Sequence, residues 1–333
     1  MTKSSRATIT DVARAAGVSL STVSRVMNGN ASVDAAMAER VRLVAAELGY
    51  SANPLARSLV LGRTQTIAVV IPDLANPTFQ AILRGLSRAA GDDGYHVLIA
   101  DSAEQVETER ALAEATRRRT DGVILCAPRL PAGELAELLP TLAPVVVVNR
   151  PPQESAPTVA ADYRTAMAEL VAHLYGLGHR RLVFLSGVVG SASGAARRAA
   201  LAEARTAHPD LEILELPSGV DFDSGAAAAD AVRATGATAV LAFNDLVAMG
   251  LLSAVAARGV RVPEDLSVVG FDDIPFARYT TPPLTTAAVP AAELGRRAWD
   301  AMSALLAGDP APASSVLTPE VVVRASTAAP PAS

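Results

Sequence analysis

Two hydrophobic rhythms divide the chain. Over residues 8–48 the apolar positions recur at helical spacing; after Gly62 they gather into short runs separated by amphipathic stretches. In the first part, Val12, Ala13 and Ala16 share one helical face, and Val23, Val26 and Met27 share the face of a second helix. Thr10 suits the N-cap of the first helix, and Gly17 closes it where a left-handed residue costs least. Ser19 suits the cap of the second. The other face of that helix carries Ser21, Thr22, Ser24 and Arg25, short polar groups and one long cation. Asp34 suits the cap of a third helix, in which Val41, Val44, Ala45 and Leu48 form a stripe able to cover the first two. Gly49 closes it. Pro54 then opens a helix of about two turns over 54–61. A helix of that length is marginal alone in water, which suits a hinge that orders on binding.

Beyond Gly62 the runs 66–72, 96–101, 122–126 and 144–149 read as strands, with helical stretches over 77–90, 106–118 and 132–139 between them. A second series follows: strands over 182–185, 212–216, 238–242 and 266–270, and helices over 165–177, 193–206, 223–233 and 245–258. Two alternating series predict an α/β domain with two parallel sheets covered by helices. Ligands in such folds sit beyond the carboxyl ends of strands. Asp73, Asn76 and Phe79 follow the first strand there, and Asn244-Asp245 and Asp272-Asp273 follow later ones. Carboxylates, an arginine and asparagines offer acceptors and donors to neighbouring hydroxyls, and an aromatic face stacks on the apolar face of a sugar ring. Plainer roles stay open: Asn76 and Asn244 also suit helix caps, Asp273 a turn, Arg197 an ion pair, and Phe222 the core.

Composition changes the picture little. The 333 residues are half hydrophobic but only 4% aromatic, so the core is built from Ala, Val and Leu. The single cysteine, Cys126, lies in an apolar run. It excludes an internal disulfide framework and suits a reducing cytosol. No apolar run is long enough to span a membrane, and Lys3 and Arg6 are not followed by the apolar segment of a secretory leader, so a cytoplasmic location is expected. Charge is more informative. The net charge is −5, yet residues 1–62 hold seven cations against four anions, and the rest holds 22 against 30. A basic end of +3 can meet phosphates while a bulk of −8 keeps the protein soluble. Two copies of so weak a cationic head are needed for useful DNA affinity, which points to a homodimer. Enzymatic signals are poor. The glycines from Gly187 to Gly194 match neither a dinucleotide fingerprint nor a P-loop, and the four histidines show no metal-ligand spacing. No catalytic residue, metal site or cofactor is expected.

The chain resembles the LacI family of bacterial transcription regulators, to which the lac and purine repressors belong. The matching residues are Thr10-Asp11-Val12-Ala13, Ala16-Gly17-Val18-Ser19, Thr22-Val23-Ser24-Arg25-Val26, Asn28, Gly49-Tyr50 and Asn53-Pro54-Leu55-Ala56-Arg57-Ser58-Leu59. The resemblance continues to about Arg324. It implies a helix-turn-helix headpiece with a hinge helix over 1–62, joined to a periplasmic-binding-protein-like domain over 63–326. Lobe 1 would take about 63–161 and 290–317, lobe 2 about 162–289 and 318–326, and 327–333 would be a disordered tail. The recognition helix would enter a major groove through Ser19, Leu20, Ser21, Thr22, Ser24 and Arg25. Thr8, Asn28 and Tyr50 would support it, and Asn53, Ala56 and Leu59 of the hinge would meet the central minor groove. Positions matching Asp162, Arg197, Phe222, Asn244 and Asp272 imply effector contacts, beside Asn76 and Phe79.

One departure stands out: Ala200 and Leu201 replace the Gly-aromatic pair usual three residues after Arg197. The adjacent Arg198 also leaves a one-residue ambiguity. The expected function is a sequence-specific repressor, a homodimer on a pseudo-palindromic double-stranded operator, controlled by a sugar bound between the lobes. Alternatives are control by a partner protein, or a solute-binding protein, which would leave the headpiece without a purpose. The Ala, Pro and Ser of the tail lack the leucine heptads of a tetramerisation bundle.

Overall fold

The computed structural model describes residues 7–27, 33–50 and 62–331. Asn28, Asn53, Ala56 and Leu59, with the 54–61 hinge, lie outside them. The chain divides into two compact units, residues 1–65 and 66–333.

In the first unit α1 (Ile9–Ala16), α2 (Leu20–Met27) and α3 (Ala35–Glu47) pack through Val12, Ala13, Ala16, Val23, Val26, Ala38, Val41 and Ala45. The cap of α1 is Thr8, not Thr10. Thr8 and Asp11 form a reciprocal capping box, in which each side chain accepts from the other residue's backbone N–H. Thr10 therefore lies inside the first turn. Gly17 takes the left-handed conformation expected of it, at φ 67°. Ser19 Oγ accepts from the Thr22 N–H at 3.1 Å, and Asp34 from Met37 at 3.0 Å. Val44 is only partly buried and Leu48 is exposed, so the predicted stripe on α3 narrows to Val41 and Ala45.

The second unit contains two sheet systems. The first is built from β1 (Thr66–Ile71), β2 (His96–Asp101), β3 (Gly122–Cys126), β4 (Val145–Val148), β5 (Thr158–Ala161) and β11 (Ser315–Leu317). Its six strands are parallel, in the order β11-β5-β4-β3-β1-β2. Helices α4 (Pro77–Asp92), α5 (Val106–Arg117), α6 (Ala132–Leu138) and α12 (Ala291–Ala307) accompany it. Strands β1, β3 and β4 are continuous Val/Ile/Leu runs because helices cover both faces. Strand β2 lies at the edge and leaves Leu98 and Ile99 exposed.

The second system has β6 (Arg181–Ser186), β7 (Glu212–Pro217), β8 (Ala239–Ala242) and β9 (Ser267–Val269), ordered β7-β6-β8-β9 and parallel. Strand β10 (Thr286–Ala288) bridges to it beside β9 and pairs antiparallel with β12 (Glu320–Val322). Its helices are α7 (Tyr163–Gly176), α8 (Ala192–Ala207), α9 (Phe222–Ala227), α10 (Ala229–Ala234) and α11 (Asp245–Ala256). The chain passes between the systems after β5, between β10 and α12, and between β11 and β12. An apolar cluster runs unbroken from one lobe into the other, from Ile67 and Ile82 to Phe184 and Phe271.

At the start of the expected tail, Thr327 and Ala328 are bonded to the second lobe. His173 Nε2 bonds Thr327 Oγ1 at 3.0 Å, and His179 Nε2 donates to the Ala328 carbonyl at 2.9 Å. The Ala328 N–H is in turn 3.1 Å from Ser267 Oγ. Composition signalled no order there because the partners come from far back in the chain.

Candidate functional site: a polar recognition face and an inter-lobe cavity

In the headpiece the burial of Val23 and Val26 turns the opposite side of α2 outward. Ser19, Leu20, Ser21 and Arg25 are exposed, and Thr22 and Ser24 are half-buried. Ser19 Oγ also bonds the hydroxyls of Ser21 and Thr22, at 2.8 and 2.9 Å, so the helix start is a pre-ordered polar cluster. Thr8 serves the capping box, and Tyr50 packs against the three-helix core.

In the second unit one cavity lies where strand ends of both lobes converge. It is narrow as the lobes stand: only about 40 Å³ of it admits the centre of a water molecule. Five of the seven expected effector residues line it: Asn76, Phe79, Arg197, Asn244 and Asp272. Local folding places each. Asn76 caps α4, accepting from the Thr78 N–H at 2.9 Å, and Pro77 starts that helix, which sets Phe79 over the cavity. Asn244 caps α11 and donates to the Val220 carbonyl at 2.8 Å. The cap reading and the cavity reading thus hold together. Arg197 is buried, its guanidinium 4.0 Å from the ring centre of Phe271, 4.6 Å from Phe243 and 4.8 Å from Tyr163. Its Nη1 donates to Ser193 Oγ at 3.2 Å, while its Nε has no partner. An unmatched buried donor on a cavity wall is costly unless a ligand or water meets it. The adjacent Arg198 pairs instead with Glu215 at 2.7 Å, so of the two arginines Arg197 lines the cavity.

Asp272 accepts from Thr78 Oγ1 at 2.9 Å, a hydrogen bond from one lobe to the other. Burial pushes its carboxyl up to about 6, against the opposing pull of Arg197 and the Thr78 hydrogen bond. Behind it Asp245, buried and raised well above the ordinary carboxylate range by desolvation, accepts from the Ile274 N–H and from Thr286 Oγ1. Asp273 takes no part in the cavity lining and pairs with Arg324 at 2.7 Å.

Two expected residues are not brought into this cavity. Asp162 caps α7, accepting from the Thr165 N–H at 3.0 Å and its hydroxyl at 2.7 Å. It lines a neighbouring crevice with Arg150, Pro151 and Val316. Phe222 begins α9 and is exposed. Conversely, sequence reasoning missed Thr78, Glu104, Arg129, Asn149, Tyr163, Ser193 and Phe243, which with Ala127 and Val220 complete the lining. Arg129 follows the strand β3 at its carboxyl end, the one signal that could have found it. Glu104, Ala127, Asn149 and Asp272 line the cavity with positive φ values of 57°, 47°, 55° and 109°. Such non-glycine conformations cost roughly 1–3 kcal/mol each and gather at ligand sites.

The three-helix head and two-lobed body define a regulator class, and likeness to known proteins identifies it. Residues 8–53 match the model of bacterial regulatory proteins of the lacI family, and residues 171–327 match the periplasmic binding protein-like domain. The HTH-type transcriptional repressor CytR of Escherichia coli K12 is 34% identical over 335 residues, covering 98% of this chain and 97% of that protein. The crystal structure of the lac repressor dimer bound to operator and the anti-inducer ONPF superposes with a TM-score of 0.88 at 27% identity, covering 97% and 99% of the two chains. A complex of the transcriptional regulator CelR with cellobiose matches at a TM-score of 0.70 and 31% identity, covering 96% and 100%. The chain belongs to the LacI family: it is a DNA-binding transcriptional regulator with an effector-binding fold, and not an enzyme. Among the described residues no helix is long and apolar enough to cross a membrane.

Proposed function

We propose that this regulator is a homodimeric repressor whose hold on a pseudo-palindromic operator is set by a sugar bound in the inter-lobe cavity. The observation that carries the reading is the convergence of Asn76, Phe79, Arg197, Asn244 and Asp272 on one cavity, with Thr78 and Asp272 joining the lobes across it. A ligand that replaces this hydrogen bond and satisfies the Arg197 Nε touches both lobes, so it favours one lobe arrangement over another. Repression and sugar binding are supported by the repressor CytR and by the cellobiose complex of CelR. Dimerisation is supported by Leu74, Leu98 and Ile99, which leave apolar surface exposed on the first lobe. On DNA, Ser19, Leu20, Ser21, Thr22, Ser24 and Arg25 read the major groove, and Leu59 of the hinge wedges the central minor groove. Leu59→Ser should then weaken specific binding and reduce the DNA bend without changing effector affinity.

The decisive experiment measures operator affinity by fluorescence anisotropy with and without a sugar found by thermal-shift screening. The sugar should change affinity by roughly 5–150-fold, a coupling of about 1–3 kcal/mol. Asp272→Ala should abolish that response while unliganded operator binding persists. If Asp272→Ala and Arg197→Ala both respond like the parent, the cavity is not the effector site and control by a partner protein becomes the better account.

A further inference from the structure

The wall that lobe 1 presents to the cavity carries a charge pair with no place in the expected site. Arg129 and Glu104 form a two-pronged ion pair, with Nε to Oε2 and Nη2 to Oε1 both at 2.7 Å. Arg129 is 7% exposed, and Nη1, its remaining guanidinium nitrogen, faces the Ala127 carbonyl at 3.3 Å. Three of its five N–H groups are thus taken within the wall. Each oxygen of Glu104 has given one lone pair to Arg129 and keeps another, so two acceptors stand side by side at the cavity edge.

The surroundings hold this pair in place. Buried Glu109 accepts from the N–H groups of Arg129 and Leu130, at 2.9–3.1 Å. Arg150 donates to the carbonyls of Pro128 and Leu130, both at 3.1 Å. The loop after β3 is thus gripped through donors and acceptors alike. On the other side Ala103 and Glu104 both stand in the left-handed region, at φ 51° and 57°, and turn Glu104 toward Arg129. Conformations that unfavourable persist only where the surroundings over-determine them.

The charge balance of the cavity follows. Two carboxylates, Glu104 and Asp272, face two guanidinium groups, Arg129 and Arg197. The charge of Arg129 is balanced by Glu104 in direct contact. The other guanidinium donates from Nη1 to Ser193 and lies against three aromatic rings, with its Nε unmatched. An entering phosphate would find guanidinium charge already balanced by carboxylates on both walls, leaving little net positive charge to replace its water. A neutral ligand with adjacent hydroxyls would find acceptors at Glu104 and Asp272, a donor at Arg197, and the rings of Phe79, Tyr163 and Phe243 for its apolar face.

We propose that the Glu104–Arg129 pair is the specificity-determining element of this cavity, selecting an uncharged polyhydroxylated effector and rejecting its phosphate esters. Glu109 and Arg150 are positioning residues for it. The inference rests on the reading of the cavity as the effector site.

Isothermal titration of the full chain tests it. The probes are D-ribose, D-glucose, cellobiose and the common ribonucleosides, beside ribose 5-phosphate, glucose 6-phosphate and the nucleoside 5′-monophosphates. At least one neutral compound should bind, with its phosphate ester at least 100-fold weaker. Glu104→Gln keeps the shape but frees Arg129. It should weaken the neutral ligand about tenfold and narrow the discrimination against phosphate by a similar factor. The parent's neutral-to-phosphate ratio decides the matter even if that variant folds poorly. Equal or tighter binding of a phosphate ester overturns the inference and leaves the effector site standing. Failure of every probe, with operator binding intact, overturns both the neutral-polyol class and the sugar reading.

Discussion

Arg25 stands exposed on the outer face of α2, one helical turn beyond the Ser19 cluster. Its reach suits a two-pronged contact to guanine. Arg25→Ala should cost roughly 1–3 kcal/mol per half-site and relax preference at one base pair. Equal weakening on every sequence, measured by competition binding, would mark a phosphate contact instead. Asp272 supports a prediction of another kind. Its carboxyl is held at about 6 rather than 3.8 because burial outweighs Arg197 and Thr78. Between about pH 4 and 6 the folded state keeps a proton that the unfolded chain has released, so stability falls as pH rises through that window. Asp272→Asn removes the ionisation. Relative to the parent it should gain about 3 kcal/mol in unfolding free energy between pH 4 and 7.5, from about two units at 1.36 kcal/mol each. A constant difference across that range, in urea titrations, would contradict this. A strand-end position pointed to Asp272, because a buried polar group there has few other uses; Arg197 lies inside α8, and the resemblance marked it. Position could not tell a cap from a ligand at Asp162, since a carboxylate before a helix reads the same in either role. Thr8 and Thr10 were equally ambiguous until the reciprocal bond to Asp11 chose between them.

At the scale of elements, the joint between α4 and α12 bears most on the first lobe. The two helices approach so closely that a Cβ on Gly295 would lie 2.0 Å from the Ile82 carbonyl oxygen, and one on Gly85 equally close to that of Ala292. Backbone cannot yield as a side-chain tip can. Gly295→Ala should therefore destabilise the domain by at least about 1–3 kcal/mol, read as a lower urea midpoint. An unchanged midpoint would mean the helices slide apart freely. Helices and buried strands were legible because their periods are local: Val, Ile and Leu runs for β1, β3 and β4, capped stripes for α1 to α4. Strands β10 and β12 were not. Each has three residues, too few to show a period, and they pair with each other across more than thirty intervening positions. The Glu104–Arg129 pair was hidden for the same reason, since nothing near either residue announces its partner.

For the molecule as a whole, charge and surface set the assembly. The basic head and acidic body should make operator affinity fall with salt, and light scattering should show the proposed dimer. A stable tetramer would contradict that. Linkage requires the coupling to run both ways: saturating operator DNA should change sugar affinity by the same factor that sugar changes operator affinity. The seating of Thr327 and Ala328 against His173, His179 and Ser267 carries a consequence for synthesis. The three headpiece helices are contiguous, so the headpiece can fold soon after it leaves the ribosome. The body cannot: β11 completes the first sheet and residue 328 completes the second lobe. Each newly made copy therefore passes through an interval in which its head is folded and its sensing end is not. A transcript broken before codon 315, where β11 begins, would release heads that no effector can govern.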